Sequence, residues 1–96
     1  MPRYVVERTY TVGLNSMPVV GRRSKEIGRE SFPAIVWEHS HVVVDAEGAV
    51  KSFCIYDAPD PATVRDHAAL LGEHFVEGIY EIAGDVTPDD FPLEND

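Results

Sequence analysis

The stretch Ala34-Ile35-Val36-Trp37-Glu38-His39-Ser40-His41-Val42-Val43-Val44-Asp45-Ala46-Glu47-Gly48 lies near the middle of the chain, and Ala49 to Tyr56 follows it. Two runs rich in β-branched and aromatic residues around a four-residue turn predict a β-hairpin, with Asp45 to Gly48 as a type I turn closed by a glycine at positive φ. The turn allows two registers. In a simple four-residue loop Val44 faces Ala49, and Cys54 then lies opposite His39. If Gly48 forms a bulge, every partner moves by one and Cys54 turns to the face of Ser40 and Val42. The first register builds a site around Cys54, and the second builds core.

Outward from the hairpin, each flank reads as one helix and one strand. On the C-terminal side Asp60 can cap a helix, Pro61 suits its first position, and Val64, Ala68 and Leu71 form an apolar stripe that ends at Gly72. Phe75 to Val86 is then a last strand, interrupted near Gly78 and Gly84. On the N-terminal side Asn15, Ser16 and Pro18 open a helix with Met17, Val20, Ser24 and Ile27 at helical spacing, and Tyr4 to Val12 is a strand that stops at Gly13. The order is β-α-β-β-α-β. It predicts a ferredoxin-like α+β fold, one four-stranded antiparallel sheet with both helices on one face. Residues 1–86 make this single domain, and 87–96 are an acidic, Pro-containing tail. The other sheet face is left bare, an apolar area larger than soluble monomers usually expose, and a second copy packed sheet against sheet is its simplest cover.

Composition fits one compact domain. The chain has 96 residues, 44% of them hydrophobic, with no apolar run long enough to cross a membrane. Its formal charge is -9, which argues against a nucleic-acid partner. Residues 1–30 carry six bases against three acids, residues 31–84 two against nine, and residues 85–96 five acids and no base. A single cysteine and the opening Met1-Pro2-Arg3-Tyr4, which lacks the apolar core of a signal peptide, predict a cytoplasmic protein. No phosphate-binding glycine loop, Ser-His-Asp ordering or Cys-x-x-Cys pair occurs, so nucleotide-dependent, hydrolytic and dithiol chemistry find no motif.

Four patches in order, Pro2-Arg3-Tyr4-Val5-Val6-Glu7-Arg8, Trp37-x-His39-Ser40, Phe53-Cys54-Ile55-Tyr56-Asp57-Ala58-Pro59 and Val64-Arg65-Asp66-His67-Ala68, resemble a family of small ferredoxin-like proteins catalogued as a domain of unknown function, with a nickel-binding protein as its best-described member. The likeness spans roughly residues 2–72. It departs from the family pattern in a longer strand-two hairpin and in Gly72-Glu73-His74-Phe75, where a Gly-x-Pro segment is usual. The resemblance implies a divalent-metal protein and adds weight to His39 and His67 as ligands.

The residues supply their own candidates, since imidazole, thiolate and carboxylate are the groups that bind nickel or zinc or move protons near neutral pH. Strand alternation places His39 and His41 on one face together with Trp37. Cys54 joins them in one register and packs as a small hydrophobe in the other. Glu7 interrupts an apolar central strand and needs a cation, a metal or water; Arg3, Arg8 or a base on the neighbouring strand would satisfy it. His67 sits at the edge of the second helix's apolar stripe, and His74 lies beyond the region of resemblance. Trp37 and Tyr56 suit packing and also the wall of a small-ligand pocket.

Two functions follow as expectations. The first is a small cytoplasmic protein that binds nickel or a similar divalent transition ion as a homodimer, through Glu7, His39, His41, Cys54 and His67. The second is a small-molecule enzyme or ligand-binding protein of the dimeric α+β barrel type, in which His67 or Glu7 serves as acid or base and Trp37 and Tyr56 line the pocket.

Overall fold

The computed structural model describes residues 1–94 of the chain; the last two residues of the acidic tail lie outside the described residues. Strand β1 (Arg3–Tyr10) leads through a short 3-10 turn into helix α1 (Met17–Ser31). The hairpin of β2 (Val36–Val44) and β3 (Val50–Asp57) follows, then α2 (Pro61–Leu71) and β4 (His74–Glu81). The sheet order is β2-β3-β1-β4, antiparallel throughout, and this is the ferredoxin-like α+β architecture that the order of elements predicts.

Alternation on the two central strands separates the faces. Tyr4, Val6 and Arg8 of β1 and Val50, Ser52, Cys54 and Tyr56 of β3 are buried toward the helices, and the residues between them are only partly covered. Val6, Cys54, Tyr56, Ala58 and Val64 form the centre of the core, with Ile35, Val76 and Ile79 packed against it. Helix α2 is capped by Asp60, whose Oδ1 accepts from the Thr63 backbone N–H and hydroxyl, both at 2.8 Å, and it buries Val64, His67, Ala68 and Leu71. Helix α1 buries only Val20 and Ser24, so the α1 layer is thin. Edge strand β2 is exposed along almost its whole length, on both faces.

β2 begins at Val36, two residues later than expected, and two strands end early. β1 ends at Tyr10: the Thr11 backbone N–H still bonds the Glu73 carbonyl, but Glu73 at φ +61° turns its chain away toward Gly72 and leaves nothing further to pair with. β4 ends at Glu81 rather than reaching Val86. Its partner β1 begins at Arg3, and the last cross-strand bond runs from the Ile82 N–H to the Arg3 carbonyl, leaving the chain beyond without a strand to pair with.

The hairpin takes the bulged register. Gly48 has φ +87°, Val44 faces Val50, and Cys54 faces Ser40. A second irregularity lies between Trp37 and His39: Glu38 is one residue too many, so Trp37 faces Tyr56 while His39 faces the adjacent Ile55. This corrects the expectation from simple alternation. Trp37 goes to the helix side, its indole N–H donating to Ser40 Oγ at 2.9 Å, and His39 and His41 go to the open side.

Candidate functional site

The structure divides the candidate residues among three places. On the open sheet face, His39 and His41 stand two apart on β2 with ring centroids 5.3 Å apart, edge to face. Glu7 is on the same face but two strands away, with Phe53 of β3 between it and His41. Its charge is met by Lys51 of the neighbouring strand, Nζ to Oε2 at 3.5 Å, while Arg3 turns to Glu38 and Asp85.

Cys54 lies in the core between sheet and helices. It is 3% exposed, and its Sγ is 3.3 Å from Ser52 Oγ. The register that places it there separates it from His39, which points through the opposite face.

The third place is a cleft of about 700 Å³ between α1 and the start of β2, on the helix side. Trp37, Tyr56 and His67 line it with Ser24, Gly28 and Ile35. His67 sits in the buried stripe of α2, not at its edge, and its Nε2 is 3.1 Å from the Ser24 carbonyl. A carbonyl only accepts, so Nε2 carries the hydrogen and the lone pair of the neutral ring is at Nδ1. Burial lowers the His67 pKa from the ordinary imidazole value, partly offset by the bond to Ser24, and the Arg8 charge lowers it further. A Cβ at Gly28 would stand 3.9 Å from His67 Nε2, ordinary van der Waals contact, so α1 passes close to the ring at this point. Burial also raises the Tyr56 hydroxyl well above the usual phenol range.

Trp37, Tyr56 and His67 are thus brought together, and so are His39 and His41, on opposite faces of one sheet. Paired imidazoles suit one side of a nickel or zinc site. Among the described residues no three His, Cys, Asp or Glu side chains converge as a metal cluster, so one chain fits the ion only in part.

One residue of the helix side escapes the sequence reading. Arg8, considered there only as a partner for Glu7, points the other way and is 1% exposed. Arg3, Val5, Glu7 and Thr9 alternate with Tyr4, Val6, Arg8 and Tyr10, so each set contains a charge and the pattern alone does not tell which one is inside. The signal that could have found it is the pair of tyrosines sharing its parity.

No curated protein and no solved structure matches the chain. A family model described as nickel responsive protein SCO4226-like matches residues 4–82, from the first strand to the end of the fourth, and the chain belongs to that SCO4226-like family.

Proposed function

We propose that the protein binds nickel or a similar divalent transition ion in the cytoplasm, as a homodimer joined through the open sheet face. The observation that carries this reading is the His39–His41 pair, two imidazoles 5.3 Å apart on an uncovered face in a member of a nickel-responsive family. Two donors leave a transition ion short of the four or more ligands it takes, and a second copy would bring another pair to the same face. The same face suits such a partner at its far edge too, where Phe75 and Tyr80 of β4 are 64% and 57% exposed. The chain's one cysteine is buried and free, which is in keeping with a reducing compartment.

Isothermal titration with Ni²⁺ and Zn²⁺ tests the proposal. The wild-type protein is expected to bind at least one of these ions with a dissociation constant below about 100 µM, or about -5.5 kcal/mol. The double substitution His39→Ala/His41→Ala should abolish binding and leave the helical circular dichroism unchanged. Wild-type binding no tighter than that value, or full binding by the double variant, overturns the reading. Affinity should also fall as the pH is lowered from 8 to 5, because a protonated imidazole cannot be a ligand.

A further inference from the structure

The buried Arg8 has no counterion. Its Nε and Nη2 are both shielded from solvent and without a hydrogen-bond partner among the described residues. The guanidinium carbon lies 5.4 Å from the Tyr56 ring centroid, a contact that favours the cation through its flat face and leaves the edge donors unmet. A small cavity of about 50 Å³ adjoins it, lined among others by Tyr10, Ser52, Cys54 and Tyr56, with no Asp or Glu in its wall. A buried charge without a counterion, with two of its donors unmet by the protein, is a costly arrangement for a fold to carry.

Nε and Nη2 form one edge of the guanidinium, two parallel N–H groups that match the two oxygens of a carboxylate. The chain itself shows what that edge takes. Arg3 uses Nε and Nη2 to hold Glu38 Oε2 and Oε1, each at 3.1 Å. Arg8 presents the same edge inside the protein.

A cavity of about 50 Å³ is less than two waters' share of liquid volume, enough for a carboxylate group and little more. It shares Ser24, Trp37 and Tyr56 with the 700 Å³ cleft, whose wall includes Ile35 and Val36 beside the two aromatics. We infer that the space between α1 and the sheet binds a small monocarboxylate with an apolar, aromatic-sized body, the carboxylate on the Nε/Nη2 edge of Arg8 and the body in the cleft against Trp37 and Tyr56. The Arg8 edge is on the opposite face from His41, His39 lines only the cleft and not the smaller cavity, and the site needs no metal.

Trp37 is the only tryptophan and lines both spaces, so its fluorescence reports occupancy. Titration of the metal-free protein with benzoate should give a saturable change in emission with a dissociation constant below about 1 mM. Benzamide, of the same shape without the charge, should bind at least about tenfold more weakly, since charge-assisted bidentate bonds exceed neutral ones. Arg8→Met should remove that preference and melt no lower than the unliganded wild type, because it deletes an uncompensated charge. Arg8→Lys, which keeps the charge without the planar edge, should weaken benzoate several-fold. His41→Ala, outside both spaces, should bind benzoate as the wild type does, whatever that variant does to metal. Equal affinity for benzoate and benzamide, no saturable response to either, or a stronger response to inorganic phosphate than to benzoate overturns the inference without using any variant.

Discussion

At the scale of single residues, His67 and His74 tie the fold to pH. His67 donates from Nε2 to the Ser24 carbonyl and is packed edge-on to Phe32 and near Tyr56; the charged group that acts on it is Arg8. His74 holds the Gly72 carbonyl through Nδ1 at 2.6 Å and lies against Tyr10. Burial lowers both pKa values, and both Arg8 and His67 act in the same direction on His74. A histidine whose folded pKa lies below its unfolded value binds more protons when unfolded, so its stability contribution is complete above about pH 6.5 and is lost as the pH falls below that. The melting temperature should therefore be flat from pH 8 to 7 and fall between pH 6.5 and 5. His67→Gln, whose amide can still donate to Ser24, should reduce the slope of that fall, and adding His74→Gln should reduce it further. An unchanged slope in the double variant would show that other groups, not these rings, govern acid sensitivity. The sequence made His67 legible as a residue at a helix edge. Its full burial was not, because that depends on how closely α1 approaches α2 across Gly28, which helical periodicity does not encode.

The hairpin is the element in which most of the sequence reading was decided. Element order, both helices and the four-stranded sheet were legible because caps, prolines and β-branched runs are local signals. The pairing of Cys54 is open between two registers in the sequence because the choice depends on the backbone at one residue. Asp45 builds the turn: its backbone N–H bonds the Ala49 carbonyl, and its Oδ1 accepts from the N–H groups of Glu47 and Ala49. Gly48 then takes φ +87°, with nothing within 4 Å of where a Cβ would stand, so any penalty for a side chain there is conformational and not steric. Gly48→Ala should cost about 1 kcal/mol and lower the melting temperature by about 4–8 °C. Because Cys54 is covered only while the bulged register holds, the same substitution should speed its labelling by a thiol reagent roughly fivefold, the population change that about 1 kcal/mol produces. Labelling that stays as slow as in the wild type while the melting temperature drops would uncouple the turn from the pairing of Cys54. The extra residue Glu38 was illegible for a different reason. Nothing in Trp37-Glu38-His39-Ser40-His41 breaks an alternating pattern, and only the pairing of Trp37 and His39 with the adjacent residues Tyr56 and Ile55 shows that the two side chains part company.

For the whole molecule, the bare sheet face and the net charge of -9 bear on the proposed homodimer in opposite ways. The face carries Val5, Ile55, Val43, Phe75 and Tyr80, and at Gly78 there is no Cβ to hold the Tyr80 ring away from the sheet. Its charges are matched inside one chain: Lys51 with Glu7, and Arg3 with Glu38, Asp57 and Asp85. Covering these ion pairs therefore strands none of their charges, and the attraction between copies would be apolar. The repulsion between two chains of -9 acts over the distance that salt controls. Raising NaCl from 0.1 to 1 M shortens the screening length from about 10 to about 3 Å, which removes repulsion and leaves apolar association intact. Sedimentation equilibrium should accordingly show the dimer tightening as salt is added. Tyr80→Glu, which sets a new unpaired carboxylate on the face, should shift the protein to monomer with its circular dichroism unchanged. An association that weakens with salt would point instead to ion pairs between chains, and since the basic residues of this face already have acidic partners, such pairs would have to lie elsewhere, with the five bases of α2 and of α1's outer surface, Arg22, Arg23, Lys25, Arg29 and Arg65, as the groups to exchange.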